Sequence, residues 1–363
     1  MEKNKVKQIH DYGQSIWLDF IDRQIIKSGD LQRLIDEDGV RGVTSNPAIF
    51  EKAINSSDDY QEDMIRLAKE TSDLEVLFYQ MAILDIRNAA DLFQQVFNEE
   101  VKGADGYVSL EVSPRLARDT NGTIAQAVEL WKEVDRENVM IKIPGTAEGL
   151  EAIRHSIEEG INVNVTLLFG LDRYRAVTEA YISGLEARLA KGQPLEHIAS
   201  VASFFLSRID VLIDPLLEEK GLKEYQGEVA IASAKMAYQI YKEIFSSERW
   251  EKLRAAGAKP QRLLWASTSS KNPAFKATKY VDALIGPDTV DTVPMETIIA
   301  YREEGSPSLS LEQDLDKAQT ILTKVKDAGI DFDLVTAKLE EEGIEKFINP
   351  YNKLIQTIEN HLK

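Results

Sequence analysis

The sequence predicts an α/β chain folded as a (β/α)8 barrel with additional C-terminal helices. Eight short apolar, β-branched runs recur over about 300 residues, and each is followed by at least one helical pattern. No Gly-x-Gly-x-x-Gly follows the first run, so the open doubly wound sheet is the weaker alternative. No low-complexity linker and no internal repeat beyond the βα period divides the chain. The expected organisation is one domain over residues 1–363, with residues 305–363 as a helical extension.

The first run, Ser15-Ile16-Trp17-Leu18, ends in Asp19. A stripe of Leu31, Leu34 and Ile35 then predicts helix up to Gly39. The second run, Val40 to Thr44, leads into Ser45-Asn46-Pro47, with Asn46 suited to the N-cap and Pro47 to the first helical position. Helix is expected from about Ala48 to Asn98, in two pieces, because Ser72 and Glu75 have capping-box spacing. The third run, Tyr107 to Val112, stops at Ser113-Pro114, and Thr123 with Gln126 suits a box opening a helix through Val134. The fourth run is VMIKIPGT, Val139 to Thr146, followed by a helix bearing Leu150, Ile153 and Ile157 and ending at Gly160.

The fifth run, Ile161 to Thr166, precedes a helix with Tyr174, Val177, Tyr181 and Leu185 that ends near Gly192. The sixth, Ile198 to Ser203, is followed by helix over Phe204 to Leu217 and a second helix through about Phe245. Leu263 to Ser267 is the seventh. The eighth, Thr289 to Val293, lies between a helix over Ala274 to Ile285 and Pro294. In the tail, Leu311, Leu315, Ala318, Leu322 and Val325 form one stripe, which Val335, Leu339, Phe347, Leu354 and Ile358 continue.

Composition narrows the function. A net charge of −18 argues against general nucleic-acid binding, which needs a basic footprint, while leaving room for local cations that hold phosphate. The absence of cysteine removes disulfides, thiolate nucleophiles and cysteine metal sites, and fits a reducing cytoplasm. His10, His155, His197 and His361 are scattered, so no histidine metal site is expected. The opening MEKNKVKQIHD has no apolar core of a secretory signal, and no apolar run reaches the length of a membrane span. A monomer and a homodimer are both compatible with the sequence.

A barrel carries its active site at the C-terminal ends of its strands. Asp19, Asn46, Glu111, Lys142, Asn164, Thr166, Ser203 and Ser267 all fall at or near those ends. Each has a structural use as well: Asp19 and Asn46 as helix caps, Glu111 as partner of an arginine, the serines as small fillers. Lys142 is the one that decides. On an open sheet it would be an edge lysine facing water, but a closed barrel has no edges. Strand alternation then turns Met140, Lys142 and Pro144 to one face and Val139, Ile141 and Ile143 to the other. A lysine inside apolar walls is suited to Schiff-base formation with a carbonyl substrate. Glu111 and Thr166 suit the proton transfers of that chemistry, and Asp19 suits the base that opens a carbon–carbon bond. Asn46 and Asn164 suit sugar hydroxyls. Arg208, in ASFFLSRID, offers the planar fork preferred by phosphate, or else is a surface helix arginine.

The strings SIWLD, GVTSNPAIF, LEVSP, MIKIPGT, NVTLLF and ASFFLSRID resemble, in order, those of the transaldolase family, from about Ile16 to Pro294. LLWASTSSKNP and TKYVDALIGPDTVDTVP are similar to its longer bacterial form. The resemblance implies a cofactor-free Schiff-base enzyme of the pentose phosphate pathway on a (β/α)8 barrel. Such an enzyme moves a dihydroxyacetone unit from sedoheptulose 7-phosphate to glyceraldehyde 3-phosphate, giving erythrose 4-phosphate and fructose 6-phosphate. A fructose 6-phosphate aldolase-like lyase is the alternative on the same scaffold. By resemblance, Lys142 is the Schiff-base lysine and Asp19 the acid/base of cleavage, while Glu111 and Thr166 hold the catalytic water. Asn46 and Asn164 would bind the dihydroxyacetone moiety, and Ser203 and Arg208 the phosphate, with Phe205 lining the pocket between them. The family pattern departs after the seventh run, where ASFR supplies a second phosphate arginine in many members. Here the chain reads Ala266-Ser267-Thr268-Ser269-Ser270-Lys271, so Ser267 matches and Lys271 is the expected substitute cation.

Overall fold

Every one of the eight runs becomes a parallel strand, and the strands pair in sequence order until the sheet closes on itself. They are β1 (Gln14–Leu18), β2 (Gly42–Val43), β3 (Tyr107–Glu111), β4 (Val139–Pro144), β5 (Val163–Leu168), β6 (Ser200–Phe205), β7 (Arg262–Ala266) and β8 (Thr289–Val293). This computed structural model describes residues 4–100 and 103–363. Residues 1–3 of the opening segment, and 101–102 within the expected domain span, lie outside the described residues. Closure is a full ladder, from Gln14 opposite Thr289 to Leu18 opposite Val293. The fold is thus a (β/α)8 barrel with extra C-terminal helices.

The barrel interior is built in layers, as closed barrels of this size require. At the bottom, Trp17 donates from Nε1 to Asp105 Oδ1 at 2.7 Å, and Arg262 lies 3.4 Å from the same carboxylate. The Trp17 ring covers β2 at Gly42, where a Cβ would fall 2.6 Å from the indole. That strand is only two residues long, shorter than the apolar run that predicts it. In the middle, Asn164 bridges three strands, donating to Ser109 Oγ at 3.0 Å and accepting from Ser203 Oγ at 2.7 Å. The top layer carries Lys142.

Helices differ from the sequence reading mainly at their starts. The region after Pro47 breaks into Pro47–Ser56, Gln61–Leu67 and Leu74–Leu92. Asp73, not Ser72, caps the last of these, because its carboxylate accepts from the N–H groups of both Glu75 and Val76. The helix Thr120–Val134 likewise starts one turn before the expected box, capped by Asp119. Thr123 instead donates to Leu116 O, and Gln126 accepts from Ser113 N–H. Helix expected over Ala274 to Ile285 shrinks to Lys279–Ala283. There the Asn272 side chain accepts from Ala274 N–H, a local turn that competes with helix.

Three helices follow β8: Met295–Glu304, Leu315–Asp327 and Phe332–Leu362. The last is 31 residues long, with Val335, Leu339, Phe347, Leu354 and Ile358 all buried. It packs against Pro47–Ser56, where Lys353 pairs with Glu51 at 2.7 Å, and it crosses the mouth of the barrel. No helix of the described residues is long and apolar enough to cross a membrane.

Candidate active site

A cavity of about 250 Å³ opens at the C-terminal ends of the strands. Asp19, Asn46, Lys142, Thr166, Ser203, Phe205, Arg208, Ser267 and Lys271 all line it. Two expected site residues do not. Glu111 stands behind Lys142, away from the main cavity, and Asn164 is sealed in the middle layer.

Lys142 is 5% exposed, held on β4 beside Glu111 on β3 and Asn164 on β5. Its Nζ donates to Ser45 O at 3.0 Å and lies 3.3 Å from Glu111 Oε2. The remaining valence of the nitrogen is available to the cavity. Burial pushes the Glu111 carboxyl up to about 7, against the pull of the Lys142 charge. Among the described residues neither Glu111 oxygen reaches any hydrogen-bond donor besides that amine. A second pocket of about 10 Å³, shared with Tyr79 and Tyr351, adjoins the carboxylate and approaches the ~10–15 Å³ needed by one water.

Asp19 leaves β1 at the cavity wall. Thr44 donates to its Oδ1 at 2.7 Å, and the Thr44 and Thr292 hydroxyls are 2.7 Å apart. With Thr44 committed to the carboxylate, Thr292 is the donor of the second bond. Burial raises the Asp19 carboxyl above its ordinary value, while the Lys142 charge and the Thr44 bond pull it back. Asn46 both caps Pro47–Ser56, accepting from Ile49 N–H at 3.1 Å, and faces the cavity.

Thr166 has a buried hydroxyl without a hydrogen-bond partner among the described residues. The pairing of β5 with β6 slips between Val165 and Leu168, and Leu167 takes a left-handed backbone with φ of 61°. An extra residue of this kind re-aims the side chains around it, and left-handed leucine is rare enough to mark a constrained position. Ser267, immediately past β7, is also left-handed, with φ of 55°. Its hydroxyl lies 2.8 Å from that of Ser207.

Arg208, second residue of the helix Ser207–Glu219, brings its guanidinium into the cavity. The group sits 5.2 Å from the Phe205 ring and 5.9 Å from the Phe347 ring. Its Nη1 is buried without a hydrogen-bond partner among the described residues, and burial lowers its pKa from the usual arginine value. Lys271 lines the same end, its ammonium donating to Ser269 Oγ at 2.6 Å.

Several lining residues escape sequence reasoning. Thr44, Thr292 and Glu296 sit at strand ends or just past them, and position is the only signal their sequence context carries. Phe347 reads only as one apolar position of an amphipathic stripe. Among the described residues no group of three or more His, Cys, Asp or Glu is arranged to hold a metal ion.

The model of the family described as Transaldolase/Fructose-6-phosphate aldolase matches residues 16–358. A protein named Transaldolase from Trichodesmium erythraeum (strain IMS101) is 48% identical, covering 100% of this chain and 99% of its own. Transaldolase 2 of Nostoc punctiforme is 46% identical over 100% of this chain and 99% of its own. Transaldolase of Saccharopolyspora erythraea is 46% identical over 99% and 98%. With its barrel and matched length, the chain belongs to the transaldolase/fructose-6-phosphate aldolase family.

Proposed function

We propose that the chain transfers a dihydroxyacetone unit from sedoheptulose 7-phosphate to glyceraldehyde 3-phosphate, with Lys142 as the Schiff-base nucleophile. The observation that carries this reading is a buried lysine amine 3.3 Å from a carboxyl poised near pH 7, in a cavity that also holds the Arg208 guanidinium. Neutral Lys142 attacks the C2 carbonyl of the ketose. The carbonyl oxygen leaves as water, and the nitrogen keeps a positive charge in the new C=N bond. Glu111 takes and returns protons during these steps, since a group titrating near the working pH does both. Thr166, with its unpartnered hydroxyl, holds the water from the cavity side.

Asp19 then takes the proton of the C4 hydroxyl. The C3–C4 bond breaks, its electrons neutralise the iminium as an enamine, and erythrose 4-phosphate departs. The enamine attacks the acceptor aldehyde, and Asp19 returns its proton to the new hydroxyl. Water then adds at C2 to break the C2–N bond, releasing fructose 6-phosphate and free Lys142. The Thr292–Thr44 hydroxyl pair keeps Asp19 aimed through both halves. Arg208 and Ser203 hold the phosphate, with Lys271 and Ser267 beside them and Phe205 under the guanidinium. Asn46 holds the dihydroxyacetone hydroxyls. Asn164 acts from below, by fixing Ser203 through the 2.7 Å bond. A cysteine-free, acidic chain acting on phosphorylated sugars fits the cytoplasm.

The test is product partition from fructose 6-phosphate. Transfer predicts that turnover needs an aldehyde acceptor. Accumulation of free dihydroxyacetone at the same rate without one would make the chain a lyase instead.

A further inference from the structure

One ring in the cavity comes from outside the barrel. Phe347 lies on the C-terminal helix Phe332–Leu362, is 6% exposed, and faces Lys142 and Arg208. Its centroid is 5.4 Å from Lys142 Nζ and 5.9 Å from Arg208 Cζ.

The helix that carries it is pinned on both sides of the ring. One turn earlier, Gly343 lies so close to β5 that a Cβ there would be 3.0 Å from Leu167 Cδ2. One turn later, Tyr351 packs edge-on to Phe78 with centroids 5.8 Å apart, and Lys353 pairs with Glu51. Phe347 is therefore a fixed wall of the site.

We propose that Phe347 is a further catalytic residue, whose ring face stabilises the positive charge formed on Lys142 Nζ in the iminium. This rests on the Schiff-base reading of Lys142. In that step the C2–N bond forms and the C2–O bond breaks. The oxygen leaves as water with the two amine hydrogens, and one added proton leaves the C=N nitrogen charged. An aromatic face attracts a cation within about 6 Å, more strongly where water is excluded. The attacking amine is neutral and gains little from the ring, whereas the protonated iminium carries a positive charge beside it. The ring thus favours the adduct over the free amine and carbonyl.

The experiment uses dihydroxyacetone, which has no phosphate and so leaves the Arg208 end unengaged. Adducts are reduced with borohydride, and the modified fraction is read by intact-protein mass across a dihydroxyacetone titration. Phe347→Leu keeps apolar bulk without a ring and should raise the half-saturating concentration about 10-fold, within a range of roughly 2- to 30-fold. Phe347→Tyr should stay within about 2-fold of the parent, because the face is retained. Pentafluorophenylalanine at position 347 keeps the shape and inverts the ring quadrupole, so it should weaken the adduct even if the leucine variant folds poorly. A pentafluoro variant with unchanged half-saturation, or a tyrosine variant as impaired as leucine, would overturn the proposal in favour of simple packing. Absence of any adduct in the parent enzyme would instead remove the Schiff-base reading itself.

Discussion

Glu111 and Lys142 are register partners across the β3–β4 ladder, with Oε2 3.3 Å from Nζ and both side chains buried. A carboxyl in that place cannot be a surface counter-ion. It is close enough to exchange a proton with the amine, and burial has moved it to where both of its forms are populated near neutrality. Glu111→Gln keeps the shape and removes the titration. Adduct formation on fructose 6-phosphate should slow by about 10²–10⁴-fold, with the thermal midpoint little changed. Pre-steady-state borohydride trapping measures the rate; an unaltered rate would make Glu111 structural.

In the proposed mechanism Asp19 serves the making and breaking of the carbon–carbon bond and not the formation of the adduct. Asp19→Ala should still give the trapped Lys142 adduct, while turnover falls by about 10²–10⁴-fold. Thr44→Val, which leaves the carboxylate without its 2.7 Å donor, should reproduce part of that loss. Equal loss of adduct and turnover in Asp19→Ala would argue that the residue shapes the cavity instead.

Phosphate binding should depend unequally on the two cations. Arg208 lies against two rings, with an Nη1 that is buried and without a partner among the described residues, whereas the Lys271 ammonium is exposed. Losing a desolvated charge partner costs about 2–5 kcal/mol, and losing an exposed one about 0–1 kcal/mol. Arg208→Ala should therefore raise KM for the phosphorylated ketose far more than Lys271→Ala does, with trapping by dihydroxyacetone unchanged in both. Steady-state kinetics on phosphorylated and unphosphorylated donors provide the comparison.

Outside the site, Asp291 on β8 is fully buried, and neither carboxylate oxygen has a hydrogen-bond partner among the described residues. Burial pushes it up to about 8 from an ordinary 3.8. Between those values the folded chain holds a proton that the unfolded chain has released, so stability falls as pH rises through this window. Asp291→Asn cannot ionise and should flatten the fall by an amount on the order of a few kcal/mol. Part of the slope should persist, because Glu111, Asp210 and Asp85 are also raised. Urea midpoints at about pH 5 and about pH 9 test this; a slope identical to the parent's would contradict it.

Strands and the lysine were legible because alternation and short β-branched runs are local signals. Lys142 in VMIKIPGT has neighbours that fix its face without knowledge of the fold. Relationships across the barrel were not legible. Thr44 and Thr292 meet at 2.7 Å although 248 positions apart, and nothing in either stretch marks a hydroxyl that meets another. Phe347 reads as core because a helix stripe looks the same over a barrel wall and over a barrel mouth. Asn164 shares the face of Thr166, but the tool of strand parity says nothing about depth, and two serines claim its amide. The misplaced helix starts at Ser72 and Thr123 have a similar origin: a neighbouring aspartate is the better acceptor, and spacing alone does not rank acceptors.

The most direct measurement is borohydride reduction in the presence of fructose 6-phosphate, followed by peptide mapping. It should give a single three-carbon adduct on the peptide containing Val139-Met140-Ile141-Lys142, absent in Lys142→Ala. An adduct on any other lysine, or none on a chain that still turns over the sugar, would contradict the assignment of Lys142.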